Sequence, residues 1–284
     1  GPGQLTVNKS FTWNGGTLGP TGTFVVAQGG TASFTGNNGA ESLINAALTL
    51  NGPTTDENPA ASNLAMNGAA TLNNSAAFTF SNDSSLGAGA DLSERIVNGA
   101  GGSIVKICCT GGTSHLGPAV TGNGGVAVND GTLSFDGNNG FTNASSVQIA
   151  PGATLAVTTT VGGYTQTPAG TLSLEIGGLN PPGQFGRLAV QNAATLAGTL
   201  KLALTDGYLP ANGNSFAVET AGSPTGTFTS VDQLSIDGGT FQVGYPATGV
   251  TLTASSFQPT PTPSPLPSPT PSSFHLFFPF ASNG

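Results

Sequence analysis

Ser33-Phe34-Thr35-Gly36-Asn37-Asn38-Gly39 returns 101 residues later as Ser134-Phe135-Asp136-Gly137-Asn138-Asn139-Gly140. The two copies differ at one position only. A near-verbatim return at that distance marks one structural corner rebuilt after several intervening units. Around it runs a simpler beat, Gly-x-Thr-Leu, as at Gly15-Gly16-Thr17-Leu18, Gly131-Thr132-Leu133, Gly152-Ala153-Thr154-Leu155, Gly170-Thr171-Leu172 and Gly198-Thr199-Leu200. Gly226-Thr227-Phe228 and Gly239-Thr240-Phe241 continue it. Many beats lie about 15 to 25 residues apart, the length of one coil of a β-solenoid.

Each beat has a physical role. Asn-Gly supplies a positive-φ corner without a Cβ penalty, as at Asn14-Gly15, Asn51-Gly52, Asn67-Gly68, Asn98-Gly99, Asn123-Gly124 and Asn139-Gly140. The residues that follow alternate, so that Leu5 and Val7, Phe11 and Trp13, Phe78 and Phe80, Val147 and Ile149, and Leu155 and Val157 point inward. Their neighbours are Thr, Ser, Asn and Gln. Asn-Gly also makes hairpins, so a β-sandwich is the competing fold, but sandwich turns recur every 8–12 residues. The coil-length spacing favours an all-β parallel β-solenoid. We place it at residues 1–160, followed by a C-terminal solenoid or β-domain at 161–257.

Composition narrows the function classes. Hydrophobic residues make up 37% of the chain and charged residues only 6%, against roughly 25% charged in an average soluble domain. The cations Lys9, Arg95, Lys106, Arg187 and Lys201 are scattered, and the net charge is −8. No basic stripe is available to neutralise phosphates, which argues against nucleic acid and against anionic membrane surfaces. No apolar run reaches the ~18 residues of a membrane span, so no membrane insertion is expected. The sequence starts at Gly1 rather than Met, which we read as a mature secreted chain.

Residues 5–160 resemble the repetitive β-helix passengers of bacterial secreted and autotransporter-type surface proteins. The resemblance is carried by Leu5-Thr6-Val7, by Phe11-Thr12-Trp13-Asn14-Gly15-Gly16-Thr17-Leu18, and by Phe141-Thr142-Asn143 through Pro151-Gly152-Ala153-Thr154-Leu155. Residues 169–231 resemble the segment that often ends such passengers, through Gly170-Thr171-Leu172-Ser173-Leu174-Glu175-Ile176, Leu188-Ala189-Val190 and Gly207-Tyr208-Leu209-Pro210. That segment commonly carries an acidic residue before its Arg/Gln-Leu, whereas Gly186 precedes Arg187-Leu188 here. The resemblance implies a secreted, extracellular or cell-surface location. The pattern of an outer-membrane barrel is not seen within these residues.

Composition shifts after Phe257. Residues 259–271 alternate Pro with Thr, Ser or Leu, which forbids helix and ladder pairing and favours polyproline II. We read 258–273 as an extended linker; about 13 residues at ~3.1 Å each would span roughly 40 Å. The apolar segment 274–284 follows, with Phe274, Leu276, Phe277, Phe278 and Phe280. It is long enough for one strand, and free in water it would aggregate. Folding back on its own solenoid, anchoring at the cell surface and docking onto another copy as an added strand are the three readings; docking is preferred. Strand-like Gln4-Leu5-Thr6-Val7 starts with no amphipathic capping helix, and uncapped solenoid ends tend to stack.

Sites for chemistry are sparse. Polysaccharide-cleaving β-helices need clustered carboxylates, and the acids here are spread singly. Asp130 and Asp136 flank one strand and are read as structural, because Thr35 replaces Asp136 in the earlier copy. Asp56 and Glu57 are read as solvent-facing, and His115 as a loop residue with no obvious partner. No phosphate loop, nucleophile elbow, calcium-repeat motif or cofactor fingerprint occurs. Adjacent Cys108 and Cys109 are too few for a metal site; a vicinal disulfide, crosslinks to other chains, or two buried thiols are open, the last favoured because neighbouring strand residues face opposite ways. The expectation is a non-enzymatic structural subunit whose partners are other copies of itself. The alternative is an adhesin whose Ser, Thr and Asn rows bind cell-surface polysaccharide, with Trp13, Tyr164, Tyr208 and Tyr245 as its only Trp and Tyr residues.

Overall fold

The computed structural model of the chain describes residues 3–36, 40–59, 62–180, 184–232, 235–236 and 238–257. The proline-rich linker and Phe274–Phe280 lie outside the described residues. Among those described, every regular element is a strand. The strands wind into a parallel β-solenoid with three faces.

The first face stacks Gln4–Val7, Thr23–Val26, Ala47–Leu50, Thr71–Asn74, Arg95–Asn98 and Ala119–Thr121. A separate four-stranded ladder, Phe141–Asn143 to Ser223–Gly226, takes that place in the later coils. The second face carries ten strands, from Ser10–Trp13 to Ser230–Asp232, and the third runs from Gly16–Leu18 to Ser215–Thr220. The ladders pass residue 160 without a break, since Thr154–Val157 pairs in register with Arg187–Val190.

Stacking in register makes like sit on like. One inward row of the first face reads Leu5, Phe24, Leu48, Leu72, Ile96 and Val120. A row of the second reads Phe78, Ile104, Val126, Val147, Leu172 and Leu200. Apart from the exposed Leu5 and the partly buried Phe24, these side chains belong to one continuous core, in which each fully buried Leu or Phe contributes about 1.5–3 kcal/mol. From Thr23 to Ala119 the first face repeats at 24 residues, the separation at which Asn74 bonds Asn98 side chain to side chain. Later coils lengthen to 31–33 residues, beyond the spacing expected from the beats. Loops such as the one closed by Gly177 N–H to Gln184 C=O and Gly186 N–H to Glu175 C=O add the difference.

The corner glycines act in two ways. Gly68 has φ +64°, as expected of an Asn-Gly corner. Gly52 does not need positive φ; a Cβ there would lie 2.0 Å from the Gly30 carbonyl of the coil below. It is close approach between coils that requires glycine at that corner. Gly186 is of the same kind, since a Cβ would meet the Ile149 carbonyl at 2.3 Å. No acidic side chain fits there.

The near-verbatim copies do not rebuild one corner. Phe34 ends a strand of the second face, Thr31–Phe34, whereas Phe135 ends a strand of the third, Thr132–Phe135. The strand that opens the repeated unit thus lies on a different face in each copy. The beat at Gly239 also departs from expectation: Gly239–Gly244 pairs antiparallel with Gly249–Ser255, which in turn pairs antiparallel with Ser215–Thr220.

That antiparallel meander closes the C-terminal end of the third face. Phe216, Phe241 and Phe257 are buried there and meet edge to face, with centroids at 6.0 Å and 5.4 Å. The opposite end is different. Leu5, expected inside, is 52% exposed, and Phe11, Leu18 and Phe24 are only partly buried. The described residues therefore give one end an antiparallel cap and leave an open apolar coil at the other.

Candidate functional site

Among the described residues, the open first coil and polar columns at the corners depart from the repeating apolar interior of the solenoid. Among the described residues, the first coil presents the edge strands Gln4–Val7, Ser10–Trp13 and Gly16–Leu18, each paired on one side only. Beside them lies a cavity of about 310 Å³ that includes Leu5, Thr23, Phe24 and Ala46. An unpaired parallel edge with a half-exposed apolar floor is chemically suited to accept one more strand. The expected donor residues Phe274, Leu276, Phe277, Phe278 and Phe280 lie outside the described residues, so no contact of theirs is described.

One polar column follows the corner between the second and third faces. Asp56 was expected to face solvent. It occupies an inward position between Phe34 and Phe80 and is fully buried. Glu57, one residue on, is exposed as expected. Burial pushes the Asp56 carboxyl up to about 7, against the hydrogen bond from Asn58 N–H and with the Glu41 charge adding to the rise. Asn58 N–H donates to Asp56 Oδ1 at 3.0 Å, and Asn58 Nδ2 donates to Glu41 Oε2 at 2.8 Å. Glu41, itself buried, also accepts from Gly36 N–H at 3.2 Å. Burial raises its pKa, against those hydrogen bonds.

Further up the same corner, Lys106 is fully buried. Its ammonium donates to Asp83 Oδ1 at 2.8 Å, Ser114 Oγ at 3.2 Å and Asn82 C=O at 3.4 Å. All three donors are used, which is the condition for keeping a cation inside. Alternation carried the signal for both groups. Thr54-Thr55-Asp56 and Ile104-Val105-Lys106 each place the charged residue in phase with the inward one before it.

Another corner is held by buried amides. Asn74 Nδ2 donates to Asn98 Oδ1 at 2.9 Å and to Ser103 C=O at 3.0 Å. Higher up, Asn143 Nδ2 donates to Thr171 C=O at 3.0 Å, and Gln166 Nε2 to Ala197 C=O at 2.9 Å. These amides bind backbone where successive coils turn and act as structural ties.

His115 does have a partner. Its Nδ1 lies 2.6 Å from Asp136 Oδ2, across neighbouring coils. Asp136 also accepts from Ser134 Oγ at 2.5 Å and from Thr158 Oγ1. Burial raises the Asp136 pKa, but these hydrogen bonds outweigh it and leave the carboxyl below its ordinary value. Ser134 Oγ donates to Asp136, not to His115, so this cluster joins no nucleophile to a base. Asp130 accepts from Gly131 N–H at 2.7 Å and from Thr110 Oγ1 at 3.1 Å, as a corner-holding residue does.

Cys108 and Cys109 are bonded to each other and half-buried, rather than two buried thiols. They sit at a corner, where Cys109 has φ +75°, so the opposed directions of strand neighbours do not apply. Their sulfurs and a carboxylate oxygen of Asp83 lie within 4.8 Å of one another, but a disulfide supplies no thiolate for a metal. No protein-family model matches the chain, and no curated protein matches it either.

Proposed function

We propose that the chain is a structural subunit of an extracellular bacterial filament or sheath, joined head to tail by strand exchange. The bacterial, secreted, passenger-like character is part of this proposal and rests on the repeat resemblance. The observation that carries the mechanism is the unlikeness of the two ends: an antiparallel cap at one, and an open coil floored by Leu5, Phe11 and Phe24 at the other. As a strand, the terminal segment would put Phe274, Leu276, Phe278 and Phe280 on one side. That row matches in kind the apolar row it would cover. A head-to-tail contact of this type does not close and so grows as a fibre. The reading involves no catalytic step and no cofactor.

The adhesin alternative rests on outer rows of hydroxyl and amide groups, as where Asn73 Nδ2 donates to Thr49 Oγ1 at 3.3 Å. Deleting residues 258–284 separates the two. Strand exchange predicts a folded protein that stays monomeric by sedimentation, and recovery of end-capping when a peptide of residues 274–284 is added. An adhesin would keep its glycan binding after the deletion. Normal fibres from the truncated chain would remove the mechanism.

A further inference from the structure

The lower end of the polar corner carries a feature the filament reading does not use. A cavity of about 460 Å³ opens there, lined on its polar side by Glu41, Asn58, Ser62 and Asn63. Glu41 and Asn58 are both 1% exposed. Their mutual hydrogen bond takes Asn58 Nδ2 and Glu41 Oε2, and it fixes the amide so that Oδ1 is its remaining acceptor. That oxygen is buried and has no hydrogen-bond partner. Asp56, tied to the same residue through Asn58 N–H, is fully buried and also leaves one oxygen, Oδ2, without a partner.

An unbonded buried oxygen costs roughly 1–3 kcal/mol, more when charged. Here one belongs to an amide lining a cavity and another to a carboxylate directly behind it. Among the described residues no Lys, Arg or His forms an ion pair with Glu41 or Asp56; both ion pairs in the solenoid, Lys106–Asp83 and His115–Asp136, lie elsewhere. The donors are all oxygen: two carboxylates, one or two side-chain amides and a hydroxyl. Hard cations take such sets, and an irregular cavity with few fixed charges suits calcium, which accepts 6–8 oxygens in flexible geometry, better than magnesium, which requires a near-ideal octahedron.

We propose that this corner is a calcium site in which Glu41 and Asn58 Oδ1 are the protein ligands, Ser62 and Asn63 complete the polar wall, and Asp56 supplies the second negative charge. Water fills the remaining coordination positions. The ion ties Glu41 to Asn58 of the next coil, so binding stabilises the folded chain.

The test uses the full chain stripped with a chelator and titrated with calcium chloride by calorimetry, with thermal melting in parallel. The expected result is a single saturable site, a rise in Tm reversed by chelator, and little response to magnesium. Glu41→Gln keeps the shape and should weaken calcium at least tenfold. Glu57→Gln, on the exposed neighbour, should leave the affinity unchanged. If Glu41→Gln does not fold, Asn58→Ser serves as the second variant. A melting curve that calcium moves no more than sodium at equal ionic strength would overturn the proposal. So would a Glu41→Gln or Asn58→Ser protein that binds calcium as the parent does.

Discussion

Leu5 and Phe24 are register partners on adjacent coils, yet Leu5 is 52% exposed while Leu48, the next residue in the same row, is fully buried. The apolar row thus continues to the very edge of the described solenoid, with no described strand laid over its last member. One added strand would bury it. Leu5→Asp should therefore abolish assembly while changing monomer stability by less than about 1 kcal/mol, as an exposed-position change does. Light scattering and a thermal melt of the same sample check the two halves of this expectation.

Phe78 stands among Phe34 and Phe80 with centroid separations of 5.9 Å and 5.1 Å, and all three are buried. Phe78→Ala should cost about 3–5 kcal/mol, measured by denaturant unfolding of the monomer. A cost below about 1 kcal/mol would mean that the coils are not packed as described.

Lys106 and Asp83 make a half-sheltered pair, with side chains 0% and 24% exposed. Asp83→Ala leaves the ammonium inside without its counter-charge and should cost about 3–5 kcal/mol. Lys106→Met in the same chain should restore most of that loss. Equal damage from the single and double variants would show that the pair's charge is not what matters.

Burial pushes Asp56 and Glu219 each up to about 7, from 3.8 and 4.5. Between those limits the native state binds more protons than the unfolded chain, so stability falls as pH rises from about 4 to about 7. Asp136, held low by its hydrogen bonds, acts the other way: its contribution is present above 3.8 and is lost as pH falls through its lowered folded value. In chelator, Tm should be highest at mildly acid pH, drop toward neutrality, and collapse in strong acid. Asp56→Asn should flatten the drop; a Tm that climbs steadily from pH 5 to 8 contradicts this assignment.

How far these features could be read from sequence depends on the distance over which each is encoded. Phe78 and Phe80, or Val147 and Ile149, announce their inward face by alternation within four residues, and the coil by its recurring Gly corners. Asp56 was misread because its Pro-flanked surroundings look like a loop, although Thr54 already sets the inward phase. The His115–Asp136 contact joins residues 21 apart, and only the exact coil lengths bring them level. Gly52 and Gly68 look alike in sequence, but one answers to a neighbouring coil's carbonyl and the other to its own φ. The antiparallel turn at 239–255 breaks a rhythm that its Gly-Thr-Phe beat continues. Of the proposed assembly surface, only the acceptor edge belongs to the described residues.

The central claim is that residues 274–280 of one copy lie on the first coil of the next. A photo-crosslinking amino acid placed at Phe277 in unlabelled protein, mixed with isotope-labelled copies before assembly, tests it directly by mass spectrometry. Strand exchange predicts mixed-isotope crosslinks that map to residues 4–26. Crosslinks confined to single copies, or mapping to the capped end around Phe241 and Phe257, would contradict it.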